Sequence, residues 1–113
     1  MTFAADAITL AKHDLGLVGS AAESADAYLT ALEASAEMEI AREGIVLTTE
    51  ESEAVTAAMV TDDAVTVGMY VAYMYRKRAV SPTTSYQAEM PRMLRYRLNN
   101  RLMAQKAADD VSG

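Results

Sequence analysis

The sequence predicts an all-α fold, a small bundle of about four to five helices with a short extended linker near residues 45–49. Three observations lead to this prediction. Apolar residues recur at helical spacing in three long segments. Residues typical of helix borders stand at the ends of those segments: Gly44 where a helix ends and Pro91 where one begins. Apart from Ile45–Leu47, which fits either a short strand or an extended loop, the chain shows no run typical of a strand.

The first two helices are defined by their ends. A short helix is predicted over 5–15, and Gly16 ends it. The segment 20–23, SAAE, matches a capping box, in which serine and glutamate each accept a hydrogen bond from a free backbone N–H. We expect the second helix to run from this box to about Glu43, with Gly44 adopting the left-handed conformation after it. Its water-facing residues are expected to be Glu33, Glu37, Glu39 and Glu43.

The most apolar helix is predicted over 64–80, because from Ala64 to Tyr75 only Thr66 interrupts the apolar and aromatic residues. The segment 61–63, TDD, supplies a cap and negative charge at its start, and Ser81-Pro82 ends it. A helix apolar on most faces has to be covered by other helices or by neighbouring subunits. A separate short helix is predicted upstream, over 50–60.

A last helix is predicted to begin at Pro91, a residue tolerated in the first helical turn, and to end near Lys106. Leu94, Leu98 and Leu102 repeat along one face. Met93 and Met103 are expected to fill the core or a subunit interface. The acidic tail, about 107–113, is predicted to be flexible and frayed.

The composition describes one small domain, residues 1–113. The chain has no cysteine, so disulfides and thiolate metal sites are excluded. The first residues lack the basic and apolar segments of a signal peptide, and the apolar run 64–75 is far shorter than the roughly 20 residues that cross a bilayer. We therefore expect synthesis and assembly in the cytoplasm, without a membrane partner.

The charge is strongly asymmetric along the chain. Residues 1–75 carry a net charge of −11 and residues 76–113 a net charge of +5, which gives −6 in total. Such polarity can align neighbouring subunits head to tail, or hold a nucleic acid at the basic end.

The sequence offers no constellation typical of an enzyme. His13 is the only histidine, so a catalytic triad has no other base, and no GxSxG element is present. Gly16 and Gly19 are not followed by the Gly-Lys-Ser/Thr of a phosphate-binding loop. The acids of 50–53 and 62–63 lack the spacing of a calcium loop. We expect no catalytic residue, no cofactor and no metal.

One segment, 92–106, is a candidate for nucleic-acid binding. Its five basic side chains could contact phosphates without reading base sequence: they are Arg92, Arg95, Arg97, Arg101 and Lys106. Contact with a protein, or simple solvation, explains the same pattern. A small cytoplasmic DNA-binding or regulatory protein is therefore the alternative function.

Helix order and a few local features resemble the small all-helical head–tail connectors, or head-completion adaptors, of tailed bacteriophages. An alanine-rich helix ends near Arg42-Glu43-Gly44. The segment 71–80, VAYMYRKRAV, is similar to the aromatic-then-arginine helix end of that family. A polar loop then leads to Met90-Pro91 and to a last helix that contains Tyr96-Arg97. The resemblance spans roughly residues 5–101.

This resemblance implies a structural virion protein without turnover, located at the head–tail interface. It implies a homo-oligomeric ring of about twelve subunits under the portal, built by head-to-tail contacts that close. The ring would extend the channel through which DNA passes without sequence recognition, and would offer a platform for a stopper or tail-completion protein. The candidate contacts with neighbouring subunits or the portal are Tyr73, Tyr75, Arg78, Arg92, Arg95 and Arg101.

Overall fold

The described residues, 2–78 and 90–112 of the computed structural model, form four helices: α1 (Phe3–Leu15), α2 (Gly19–Arg42), α3 (Ala57–Arg78) and α4 (Arg92–Ser112). They contain no strand, so the all-α prediction is confirmed. Residues 45–49 form the extended linker, as expected. The predicted end of the central helix at Val80 and the polar loop after it lie outside the described residues.

Helix α3 is the central element, because α1, α2 and α4 all contact it. Ala64, Val67 and Val71 on α3 are buried in the same core as Leu29 and Ile40 of α2. The α1–α3 crossing is especially close: a Cβ added to Gly68 would lie 2.9 Å from the carbonyl oxygen of Ala7 and 3.0 Å from the Cβ of Leu10. Only a residue without a side chain allows this approach.

The ends of α1 and α2 follow the sequence pattern in part. Thr2 caps α1, its hydroxyl accepting a hydrogen bond of 3.1 Å from the backbone N–H of Ala5. Gly16 and Gly44 follow their helices with φ of 70° and 93°, as predicted. The capping box over 20–23 is wrong, since α2 already begins at Gly19 and Val18 supplies no side-chain cap. The turn after α1 is so short that the chain enters α2 before reaching Ser20.

Helix α3 begins seven residues earlier than predicted, at Ala57. The hydroxyl of Thr56 accepts a hydrogen bond of 3.3 Å from the N–H of Met59, so Thr56 acts as the cap. The separate helix over 50–60 is therefore wrong: residues 50–56 form an irregular loop, and 57–60 are the first turn of α3. Asp62 and Asp63 lie within the helix, where they pair with arginines of α4 instead of capping α3.

Helix α4 begins directly after Pro91 as predicted, and the N–H of Arg95 donates a hydrogen bond of 3.1 Å to the Pro91 carbonyl. Leu94 and Leu98 are buried against the core. The helix continues to Ser112, beyond the predicted end near Lys106, so most of the segment predicted to be frayed is helical. Alanines at 104, 107 and 108 are strong helix formers, which accounts for this extension.

Glu33 is buried, although its position among the glutamates of α2 predicted a water-facing side chain. Only 4% of the residue is exposed, and its Oε2 has no hydrogen-bond partner in the described part of the chain. Burial raises the pKa of Glu33 to about 8, and the neighbouring carboxyl group of Glu37 adds to this rise through a hydrogen bond and through charge repulsion. At neutral pH the Glu33 carboxyl group is therefore mostly protonated.

Replacing Gly68 by alanine should lower the free energy of unfolding. Alanine favours a helix by about 1 kcal/mol over glycine, but overpacking against a rigid backbone costs about 1–3 kcal/mol. Urea denaturation followed by circular dichroism measures the difference. Thr61→Ala is the control, because Thr61 is exposed on the same helix and alanine can only improve its helix propensity. A more stable Gly68→Ala protein would contradict the close α1–α3 contact.

Glu33 should make stability decrease with rising pH. Between its ordinary pKa of 4.5 and about 8, the folded chain binds more protons at Glu33 than the unfolded chain, so the free energy of unfolding falls as pH rises through this window. Glu33→Gln should match the wild type at pH 4 and be more stable by several kcal/mol, up to about 5, at pH 9. Glu23→Gln, on the exposed side of α2, is the control. If the free energy of unfolding of wild type and of Glu33→Gln changed with pH in parallel, the raised pKa of Glu33 would be refuted.

Candidate interaction surface

Three arginines of α4 form ion pairs with acids of the preceding elements. Arg95 contacts Glu43 at 2.7 Å, Arg97 contacts Asp62 at 2.7 Å, and Arg101 contacts Asp63 at 3.0 Å. These pairs join the basic C-terminal part of the chain to the acidic N-terminal part. The charge asymmetry of the sequence is thus partly neutralised inside one molecule.

The innermost of these pairs is centred on Asp63, which is 1% exposed. Its carboxylate accepts hydrogen bonds from Nε and Nη2 of Arg101 at 3.0 and 3.3 Å. It also accepts bonds of 2.8 Å from the backbone N–H and from the hydroxyl of Thr48. Because Oδ1 accepts one of these four hydrogen bonds and Oδ2 the other three, both oxygens of the buried carboxylate are satisfied. We call Asp63, Thr48 and Arg101 the Asp63 network.

The same face of α4 satisfies the backbone of the extended linker. Arg101 Nη2 donates a bond of 2.7 Å to the carbonyl of Val46. The side-chain amide of Gln105 donates to the carbonyl of Gly44 at 2.7 Å and accepts from the N–H of Val46 at 2.8 Å. The linker lacks helical or strand partners, so these side chains replace them. Docking of α4 and the path of the linker therefore depend on each other.

Arg95 and Arg97 also form specific hydrogen bonds, as Arg101 does. Arg97 donates to the hydroxyl of Thr66 at 3.1 Å and to the carboxylate of Asp62 at 2.7 Å. The hydrogen bond to Glu43 raises the pKa of Arg95, and the charge of Glu43 adds to this effect. Arginines in such pairs have their donors directed at carboxylates of the same chain. They are poorly placed to bind an external phosphate.

The sequence-derived candidate residues are four arginines and two tyrosines, and the arginines differ in their surroundings. Arg95 and Arg101 lie in the intramolecular pairs just described. Arg92, at the start of α4, is exposed and forms no ion pair with any described residue. Arg78 is the last residue of α3, and its side chain lies outside the described part of the structure.

Tyr73 and Tyr75 are half-buried near the end of α3 and belong to a small aromatic cluster. The Tyr73 ring meets the Tyr70 ring edge-on at 5.9 Å, and the Tyr75 ring lies 6.1 Å from the ring of Tyr28 on α2. The ammonium group of Lys77 lies 5.7 Å from the centre of the Tyr73 ring. The cluster packs α3 on α2, with Tyr70 buried in the core and Tyr73 and Tyr75 partly buried beside it.

The outward side of α4 carries three large apolar residues that the candidate set omitted. Met93, Tyr96 and Met103 are each between 65 and 67% exposed. Their spacing of three and seven residues places them on one face, turned away from Leu94 and Leu98. We call these three residues the outer ridge. The spacing of these residues predicts a second apolar stripe on α4. The sequence alone does not exclude it as part of the core, because Met93 and Met103 could also pack beside the leucines.

A shallow groove of about 650 Å³ runs between the linker, the start of α3 and the last turns of α4. Val46, Met59, Ala104 and Ala108 give it a mostly apolar lining, and the pair of Asp63 and Arg101 also lines it. Val46 and Met59 are themselves largely exposed. We call this depression the linker groove.

The described residues contain neither a cluster suited to a metal ion nor a helix suited to cross a membrane. His13 is exposed on α1, and residues 2–78 and 90–112 contain no group of three acidic or histidine side chains suited to hold a metal ion. None of the helices in these ranges is both long and apolar enough to cross a membrane. The features that distinguish the surface are therefore the outer ridge and the linker groove.

Breaking the Asp63 network should destabilise the fold strongly. Asp63→Asn leaves the buried side of Arg101 without its counter-charge, and we expect a loss of about 3 kcal/mol in the free energy of unfolding. Asp62→Asn is a matched control, because the neighbouring carboxylate is largely exposed in its pair with Arg97 and should cost below about 1 kcal/mol. Urea denaturation of both variants measures the difference, and equal losses would contradict the central role of Asp63.

Comparison of the chain with protein-family models, with curated proteins and with solved structures finds no match. What the surface can do follows from its own residues. It presents an apolar ridge and an apolar groove on a helix that three ion pairs hold in place, of which the pair of Asp63 and Arg101 is buried. Such a surface is suited to contact with protein.

Proposed function

We propose that the chain is a structural adaptor of a tailed-phage particle, a head–tail connector that assembles as a ring under the portal. The observation that carries this proposal is the outer ridge, a row of exposed apolar side chains on the firmly docked α4. Exposed apolar rows of this kind are typical of sites that contact other proteins. The resemblance of helix order and of the segment 71–80 to connectors supplies the particular role.

In this role the protein performs no turnover. A ring of about twelve head-to-tail subunits, closed by heterologous contacts, would extend the portal channel. Its partners would be the portal on one side and a stopper or tail-completion protein on the other. The net charge of −6 would disfavour adhesion of DNA during passage, because carboxylates repel phosphates. The protein would be assembled in the host cytoplasm and would remain in the virion.

The alternative, a DNA-binding or regulatory protein that uses residues 92–106, has weaker support. Arg95, Arg97 and Arg101 are directed at Glu43, Asp62 and Asp63 of the same chain. In the described part of α4, the basic residues outside these pairs are Arg92 and Lys106. Proteins that bind DNA through its backbone commonly make about 6–10 phosphate contacts, which is more than two side chains provide.

Electron microscopy and a DNA-binding assay together test the two functions. We expect rings, formed by the purified protein alone or after mixing with purified portal, and we expect no micromolar binding to arbitrary duplex DNA. Arg92→Ala/Lys106→Ala is the variant for the DNA assay, because it removes the two unpaired cations without touching the ion pairs. Absence of rings on the portal, combined with salt-sensitive DNA binding that this variant abolishes, would favour the regulatory protein instead.

A further inference from the structure

We propose that the outer ridge of one copy of this chain inserts into the linker groove of the next copy. This inference rests on the proposed function, because it names the contact from which a ring of identical subunits would be built. Of the sequence-derived candidate residues, this contact includes only Arg92 beside the ridge and Arg101 in the lining of the groove.

The ridge has the properties of an inserting element. Met93, Tyr96 and Met103 protrude from a helix that Arg95, Arg97 and Arg101 hold in place from the opposite side. The supporting helix is therefore ordered before any contact forms, which lowers the entropic cost of binding. Methionine adapts to irregular surfaces, and tyrosine contributes a large rigid area.

The groove has the properties of a receiving element. Ala104 and Ala108 leave space along α4, while Val46 and Met59 form apolar sides that are largely exposed in the single chain. The volume of about 650 Å³ can receive side chains of the size found on the ridge. The Asp63 network lies beneath it, so the shape of the groove does not depend on the partner.

A chain cannot fill its own groove with its own ridge. Successive residues of a helix point about 100° apart, so Met103 on the ridge and Ala104 in the groove face different directions. The ridge and the groove consist of different residues and are centred on different faces of α4, and they adjoin where Met93 and Ala104 project in nearly the same direction. A contact between them therefore joins unlike faces, which produces head-to-tail assembly instead of a simple two-fold dimer.

The charges beside the two surfaces are complementary. Arg92 and Lys106 lie beside the ridge on the exposed side of α4 and form no ion pair with any described residue. The loop that connects the groove residues Thr48 and Met59 carries three exposed acids, Glu50, Glu51 and Glu53, which are likewise unpaired among the described residues. Docking the ridge would bring the two cations toward this acidic rim and would fix the orientation of the contact.

Disulfide trapping tests this contact directly, because the chain has no cysteine of its own. One variant carries Met103→Cys on the ridge, and a second carries Met59→Cys in the groove. Oxidation of the mixed variants at high concentration should give a mixed disulfide at least about fivefold more abundant than that of a control pair. The control pair combines Met103→Cys with Ala34→Cys, which introduces a thiol on the exposed side of α2.

Charge reversal gives an independent readout. Arg92→Glu/Lys106→Glu in the Met103→Cys variant should reduce the mixed disulfide about tenfold. Glu50→Lys/Glu51→Lys/Glu53→Lys in the Met59→Cys variant should restore it when the two reversed proteins are combined. These exposed substitutions leave the intramolecular ion pairs intact, so loss of folding does not explain a decrease.

The outcomes separate this inference from the proposed function. A mixed disulfide no more abundant than the control, or a Met103→Cys disulfide with itself as the main product, would overturn the ridge-in-groove contact. If rings still appear by electron microscopy, the adaptor function stands and only this contact is wrong. A mixed disulfide that responds to charge reversal, without rings and without portal binding, would leave the contact standing and remove the connector function.

Discussion

The buried carboxylate of Asp63 is the interaction on which the arrangement of this protein most depends. It receives four hydrogen bonds, two from Arg101 of α4 and two from Thr48 of the linker. Without these donors its charge could not remain in the interior, because desolvation of a carboxylate costs several kcal/mol. Helix α3, the linker and α4 are therefore joined at one point, and the outer ridge owes its position to a contact on the opposite side of α4.

The ion pairs of α4 give a physical meaning to the charge asymmetry of the chain. A basic C-terminal part and an acidic N-terminal part fit DNA binding or subunit alignment equally well when only the net charges of −11 and +5 are considered. The fold brings Arg95, Arg97 and Arg101 onto acids of the same molecule. In the described part of α4, the charges left for external contact are the two cations beside the outer ridge, and the 50–53 loop adds its exposed acids.

In the core, small residues let the helices approach one another closely. Gly68 on α3 lies against the backbone of Ala7 on α1, and Ala11 and Ala36 are completely buried nearby in the same core. This close packing covers much of the apolar surface of α3 within one chain. The half-buried residues Tyr73 and Tyr75 retain partial exposure, so their contribution to contacts between subunits is still a prediction.

The sequence by itself determined the helical class, the extended linker at 45–49 and the residues that end α1 and α2, because these depend on local periodicity and on the conformational freedom of glycine. Only the tertiary structure decided which charges are buried. The sequence predicted Asp62 and Asp63 as helix-capping acids and Glu33 as a surface glutamate. The partner of Asp63 is Arg101, which lies 38 residues away in the sequence. No local pattern distinguishes such a carboxylate from a solvated one. The exposure of the outer ridge could not be predicted for the same reason. The sequence shows two apolar stripes on α4, and only the packing of the helix decides which one faces the core.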